Sequence, residues 1–468
     1  MRDSAENKGV QDGFEQERSG NVARDSFLAQ FYGKSQNFTQ IPNKWYKEYN
    51  VKKGLRNEDG TGVLIGLTRI SDVVGYQREN GEVKPIPGHL IYRGYDIEKL
   101  IEGKRGTHYG FEEVCFLLLF GYLPKRREFD QFCSILRECY QVPDDFVEMN
   151  LLRMPGKNLM NKLQDAVLSL YNYDDDPDNT EVYETLCKGI NLAAKLPAIA
   201  CYAYQSKRHY YNRDSLFIHY PNPEYSIAEN FLSLLRRDQK FTAKEASLLD
   251  TLLMLQADHG GGNNSTFTNV VISSTGTDIY STISGSIGSL KGPRHGGANI
   301  KVAEMMDAVR TASGGIEADE KTLKRTAERL LDGELYDMTG LIYGFGHAVY
   351  TITDPRAEIL RECCRAVASE KGKMKELEFY IRFEKAAKKV MEERKGKAVP
   401  SNVDYYSGFA YDLMQIPRDL FTPLFVCART VGWVAHNVEN KLYDGKIMRP
   451  ATKYVGELSD YMKMEERE

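Results

Sequence analysis

No apolar run in the chain much outlasts Val114–Phe120, far short of the ~20 residues that cross a bilayer, so no membrane partner is expected. Charge of one sign is also missing. The formal net charge is -4, which leaves no basic excess to hold a nucleic acid. The eight cysteines are scattered without a CxxC, and only Cys363 and Cys364 are adjacent. That usage excludes a disulfide framework and paired-cysteine zinc sites, and it fits a reducing, cytoplasmic setting. No internal repeat is present, which excludes a solenoid. The opening MRDSAENKGVQDGFEQERSG has no apolar core and reads as a solvated arm, neither a secretory signal nor a transit peptide.

What remains is a chain of 468 residues with 42% hydrophobic and 27% charged residues, the composition of a globular protein with ample material for a core. Strand-like patterning is confined to Val63–Ile70, Asp72–Gln77 and His89–Arg93, with Asn80-Gly81 as a hairpin turn and Pro85 and Pro87 limiting its extent. From Phe111 the period is helical. The stretch FEEVCFLLLFGYLP stops at Gly121 and Pro124, and Thr242 with Glu245 makes a capping box before a helix that leads to Gly260-Gly261-Gly262. Asp354-Pro355 opens another helix running to about Gly372, and further helices are expected over Lys375–Arg394 and Leu420–Asn440.

Histidine is scarce, yet three of the eight lie at glycine-rich breaks: His259 in ADHGGGN, His295 in GPRHGGAN and His347 in YGFGHAVY. His295 is held between Gly-Pro and Gly-Gly pairs, with apolar spacing for a helix on each side. Near a helix start the dipole disfavours a cation, so a neutral imidazole able to donate a hydrogen bond is expected; a merely capping or packing histidine is the plainer alternative. A metal triad lacks its companions, since there is no HExxH and no cysteine pair, and no metal is expected.

Four further residues sit in unusual places. Asp404, in PSNVDYYSG, follows a helix break among aromatic neighbours that would raise its pKa, or it simply stabilises the next helix as an N-terminal acid. Arg429 lies on the apolar side of its helix beside Phe425 and Ala428, where an unpaired guanidinium is costly, so an anion should meet it there. Arg356 opens a helix in TDPRAEIL, the wrong end for a cation without an accompanying anion. Arg449, in IMRPATKY, follows the last long helix and passes as a surface residue or one that reaches another subunit.

The chain resembles the citrate synthase family from roughly Gly66 to Gly456. The motifs HLIYRGYDIEKL, FEEVCFLLLFG, DHGGGNNSTFT, LKGPRHGGAN, GFGHAVYTITDPR, NVDYYSG, ARTVGWVAH and RPATKYVG follow in one order, and their joint order and spacing are specific. The resemblance implies a mostly α, two-domain fold: a large helical domain of residues 41–296 and 414–468, a smaller helical domain of 297–413, a small β-hairpin region near the N-terminus, and an extension of 1–40. It implies a homodimeric acyltransferase that condenses acetyl-CoA with oxaloacetate, with acetyl-CoA as co-substrate and no tightly bound cofactor. His295 would hold the thioester oxygen as it becomes an enolate, and Asp404 would remove the methyl proton. His347 would polarise the oxaloacetate ketone, while His259, Arg356, Arg429 and Arg449 would bind carboxylates, Arg449 from a partner subunit. Gly344, Phe345 and Gly346 would line the CoA site. Citryl-CoA would then be hydrolysed in place.

Physical chemistry asks for the same set. An aspartate with a reference pKa of about 3.9 abstracts a thioester α-proton only if a preorganised donor stabilises the developing charge. Arginines suit a dianionic substrate. Several positions depart from the family pattern: Arg294 stands where a leucine is usual, Gly260 replaces an acid, Ala348 and Thr351 occupy places of basic residues, and Gln77–Pro87 is longer than the usual hairpin. A 2-methylcitrate synthase using propionyl-CoA is the nearest rival, since one methylene is worth only about 1 to 3 kcal/mol. A metalloenzyme and a non-catalytic CoA or dicarboxylate sensor stand further off.

Overall fold

The computed structural model describes residues 28–35, 40–80, 82–104, 109–293, 295–443 and 445–467. The backbone divides into two compact units, Met1–Ile65 with Pro450–Glu468, and Gly66–Arg449. In the first, a short helix spans Asn43–Glu48, Lys453 Nζ lies 5.9 Å from the Tyr49 ring centre, and apolar side chains such as Leu64 and Leu458 are exposed. Most of the expected arm over residues 1–40 lies outside the described residues, as does Arg294.

All residues that bear on chemistry belong to the second unit. It begins with an antiparallel sheet of β1 (Ser71–Glu79), β2 (Glu82–Tyr92) and the short β3 (Tyr95–Asp96). Two expectations are corrected. Residues 63–70 form no strand, and the hairpin continues past both prolines that were to limit it. The pairing explains the second point. Register is regular from Ser71↔Tyr92 to Val74↔His89, then shifts before Tyr76↔Pro85, so Pro87 falls inside a bulge. Pro85 lies on a stretch that β3 does not reach, where the outer edge has no ladder to break. Asn80 takes the positive φ of 52° that a tight turn needs, while its partner in the expected turn, Gly81, is outside the described residues.

The bulge is where the hairpin meets the segment after His347. A Cβ on Gly75 would overlap the Val349 carbonyl, and one on Gly88 would overlap Thr353, so only glycine permits this backbone approach. Two hydrogen bonds close the contact: Thr351 Oγ1 donates to the Gly75 carbonyl at 2.6 Å, and the Gly88 N–H donates to Thr353 Oγ1 at 3.1 Å.

The rest of the unit is mostly helical. α1 (Gly110–Phe120) ends at Gly121 with φ 89°, as its sequence predicts. α2 (Val182–Asn212) is long and carries Pro197 internally, a residue that argues against a continuous helix when read from sequence. α3 (Ala243–Gln256) starts with the expected Thr242/Glu245 capping box. α4 (Asn264–Ser273), α5 (Ile279–Lys291) and α6 (Ala298–Ala312) follow, the last two flanking His295. α7 (Pro355–Glu370) is capped by Asp354, α8 (Met374–Lys395) bears a charged face, and α9 (Val403–Leu413) carries Asp404 in its first turn. α10 (Phe421–Leu442) is buried on every side from Phe421 to Glu439 and packs against α1 to α5. A helix without a solvated face is a core element, and its polar residues are therefore the ones that need explaining. Among the described residues no helix is long and apolar enough to cross a membrane.

Candidate active site

The turn after α3 places the first histidine. Beyond Asp258, Gly260 adopts φ 80°, and the reversal directs the His259 ring towards the loop carrying His347. Their Nε2 atoms are 2.9 Å apart. The Val349 and Tyr350 N–H groups both donate to His347 Nδ1, each at 3.1 Å. With that lone pair engaged, a neutral His347 carries its proton on Nε2, the edge facing His259. Tyr350 holds the ring from the other side, with its centroid 4.5 Å away in a stacked arrangement. Burial and the nearby Arg356 charge keep His259 well below the usual imidazole pKa.

His295 lies in the turn between α5 and α6, its backbone N–H donating to Gly292 at 2.9 Å. Its Nε2 lies 3.1 Å from Asn263 Oδ1 and 3.2 Å from Ser265 Oγ, and the Trp433 indole donates to the same hydroxyl at 3.2 Å. The ring is anchored through Nε2, and its Nδ1 edge has no hydrogen-bond partner among the described residues. Burial, assisted by the Arg429 charge, lowers its pKa to about 4, so the imidazole is neutral at pH 7 as expected. The cause differs from the helix dipole inferred from sequence: desolvation dominates.

Asp404 lies one residue into α9, whose N-cap, Asn402, accepts the Asp404 N–H at 3.0 Å. Its carboxylate has no hydrogen-bond partner among the described residues, and burial raises its pKa to about 6 against the lowering pull of Arg356 and Arg429. The segment before it is clasped to the GFG strip. The Gly346 N–H donates to Pro400, the Asn402 N–H donates to Gly344, and Asn402 Nδ2 donates to the Gly346 carbonyl, at 2.7, 2.9 and 3.0 Å. Gly344 has φ 81° and packs so closely on Val302 and Tyr405 that a side chain there would be both strained and crowded. The same strip thus spaces His347 and Asp404.

Both buried arginines join this group. Arg356 meets the anion its helix position demands: Asp354 receives Nε at 3.0 Å and one terminal nitrogen at 2.7 Å. Arg429 is fully buried, stacks 4.7 Å over Phe425 and donates through Nε to the Gln256 carbonyl at 2.7 Å, but one terminal nitrogen has no partner. Burial lowers its pKa to about 10. Arg449 is exposed and makes no hydrogen bond or ion pair with these residues.

His259, His347, Asp404, Arg356 and Arg429 therefore converge with His295, whereas Arg449 stays apart. Sequence reading missed Asp258, Asp354, His436, Tyr350, Asn263, Ser265 and Trp433. Three of these adjoin or nearly adjoin a named residue, and His436 stands on the fully buried stretch of α10, so a rule that flags every charged or titratable residue there would have found it. Chemically, the group offers a carboxylate base, two neutral imidazoles and a dehydrated cation with a free donor, a set suited to proton abstraction beside a carbonyl and to anion binding.

Residues 58–451 match the family model described as citrate synthase, C-terminal domain. The citrate synthase of Haloferax volcanii is 33% identical over 423 residues, 89% of this chain and 99% of that protein. A 2-methylcitrate synthase from Shewanella oneidensis is 33% identical over 368 residues, 78% of this chain and 88% of its own length. Among solved structures, the ternary complex of carboxymethyl coenzyme A and oxaloacetate with citrate synthase from the archaeon Thermoplasma acidophilum aligns with a TM-score of 0.72 at 25% identity, covering 89% of this chain and 99% of that one.

Proposed function

The chain belongs to the citrate synthase family and is an acyltransferase that condenses acetyl-CoA with oxaloacetate, and we propose that the histidine, aspartate and arginine group above performs the reaction. The observation that carries this reading is Asp404, a carboxylate without a hydrogen bond among the described residues, raised by burial to about 6 against the lowering charges of Arg356 and Arg429. It is ionised at pH 7 yet more basic than an ordinary aspartate, and it takes the proton from the acyl methyl group. With the Ser265 hydroxyl donating to Nε2, the proton of neutral His295 sits on Nδ1, and that edge donates to the thioester oxygen as it gains charge. His347 donates from Nε2 to the oxaloacetate ketone and gives up that proton as the alkoxide forms. His259 and the free donor of Arg429 receive substrate carboxylates, with Arg356 beside them. The backbone of Gly344, Phe345 and Gly346 borders the CoA end, and CoA comes and goes as a co-substrate with no resident cofactor.

Residues 297–413 close as a smaller domain on 41–296 and 414–468, shutting out water until the carbon-carbon bond exists; citryl-CoA is then hydrolysed in the same site. A homodimer supplies Arg449 from the other subunit, a role supported by its exposed position here. The unpaired state of all eight cysteines supports a cytoplasmic place, consistent with the tricarboxylic acid cycle. Propionyl-CoA is the competing acyl donor because curated relatives at equal identity include a 2-methylcitrate synthase. Thiol release with each acyl-CoA decides between them. Oxaloacetate-dependent release with a higher kcat/KM for acetyl-CoA is expected; a propionyl-CoA preference would reassign the donor. Asp404→Asn and His295→Ala should each lose at least about a hundredfold in kcat while oxaloacetate binding survives, and near-normal turnover in either would displace these roles.

A further inference from the structure

Asp258 is fully buried between the turn before His259 and α10, and no role above uses it. One oxygen, Oδ2, accepts from the Ser71 hydroxyl, from the Gly260 N–H at 3.0 Å and from His436 Nε2 at 3.2 Å. The other, Oδ1, has no partner and faces Gly432 of α10, where any Cβ would overlap it. Burial would push this carboxyl up, but the charge and hydrogen bond of His436, with Arg429, hold it well below the usual carboxylate range. His436 stands about two turns after Arg429 on the same buried helix. Asp258 thus carries its charge near Arg429 without a hydrogen bond to it, while the free guanidinium nitrogen of Arg429 also lacks a partner.

Two unpaired polar atoms of opposite charge in one buried neighbourhood would pair if their side chains were free to turn. What restrains Asp258 is the set of donors on Oδ2. We propose that Asp258 and His436 are a positioning pair for the dicarboxylate end of the site: His436 and Ser71 keep the carboxylate turned towards Gly260, which fixes the His259 turn and leaves Arg429 open to a substrate carboxylate. The pair rests on the functional reading above. Asp258 compensates the Arg429 charge at a distance, and His436 keeps that compensation from becoming a salt bridge that competes with substrate.

Steady-state kinetics on the full-length enzyme test this with His436→Leu, His436→Gln, Asp258→Asn and the double variant Asp258→Asn/His436→Leu. His436→Leu and Asp258→Asn should each raise the KM for oxaloacetate roughly tenfold or more, with the KM for acyl-CoA within about twofold. His436→Gln, which still donates to Oδ2, should recover most of that loss, and the double variant should be no worse than the worse single one. Should His436→Leu fail to fold, Asp258→Asn and His436→Gln give the same split. Parallel rises in both KM values, a Gln variant no better than Leu, or effects that multiply in the double variant would overturn the pair alone. Wild-type enzyme without oxaloacetate-dependent thiol release would overturn the pair together with the reading beneath it.

Discussion

Arg356 and Arg429 are both fully buried guanidinium groups in the same site, and they are held in opposite ways. Arg356, at the start of α7, is closed by a bidentate pair with Asp354, which raises its pKa despite burial. Arg429, mid-way along α10, is lowered to about 10 and keeps a free donor. In the first arrangement the charge already has its counter-ion, with one terminal nitrogen left over for a further partner. Asp354 also accepts the N–H of Val403 at 3.2 Å, so the pair ties α7 to the first turn of the helix bearing Asp404. The second is an interaction awaiting its other half, and a structure carries such a cost only where something arrives to relieve it. Burial alone does not distinguish an arginine whose charge is already neutralised from one whose charge is not; a carboxylate in bidentate contact does.

Substitutions should separate the two. Arg356→Leu leaves Asp354 buried and uncompensated, for which a loss of about 3 to 5 kcal/mol is expected, visible as a lowered Tm or urea midpoint. Unchanged stability would mean the pair is not what joins the two helices. Arg429→Met removes a dehydrated charge with an orphan donor but also a distant counter-charge of Asp258, so Tm should change far less than in Arg356→Leu while the KM for oxaloacetate increases by about one to two orders of magnitude. A fall in Tm like that of Arg356→Leu would erase the distinction.

Acidity sharpens the same contrast. Asp404 must be ionised to act, and its pKa is raised to about 6, so kcat/KM should be half-maximal near pH 6, approach a fall of about tenfold per unit below about 5 and level off above about 7. His295, lowered to about 4, stays neutral across that window and adds no limb there. Because the folded pKa of Asp404 lies above its unfolded value, its ionised form disfavours folding, and that penalty disappears as pH falls through 6 towards 4. Asp404→Asn should therefore inactivate without lowering Tm at pH 7. The smallest effect is expected from Gly344→Ala: φ 81° and the close Val302 and Tyr405 atoms predict about 1 to 2 kcal/mol lost in a denaturant titration, with kcat reduced because the clasp on Asn402 shifts.

Much of this was legible in the chain, for reasons that differ by residue. Helix limits set by local chemistry read directly: the Thr242/Glu245 box, the Asp354-Pro355 start and the Gly121 stop depend on near neighbours alone. Arg429 announced itself because a cation on an apolar face has few explanations. Pro85 and Pro87 read locally as the end of the hairpin, but whether a proline breaks a ladder depends on which edge is open and where a bulge falls, facts fixed by partners elsewhere. The mate of Arg356 is two residues away, yet an aspartate before Pro355 reads from sequence as an N-cap and nothing more. Asp258 and His436 were invisible as a pair, as nothing local couples positions so far apart.

The contact between the hairpin and the loop after His347 has a further meaning in time. Thr351 and Gly75 are separated by 276 positions, so their hydrogen bond closes one of the longest loops in the chain. Closing it costs entropy that local helices do not face, and the gain comes only once both ends are shaped to meet. The histidine loop should accordingly be among the last parts to set on refolding. Catalytic activity is expected to return more slowly than helical circular dichroism, and the interval between the two signals measures how late this enzyme acquires its working geometry.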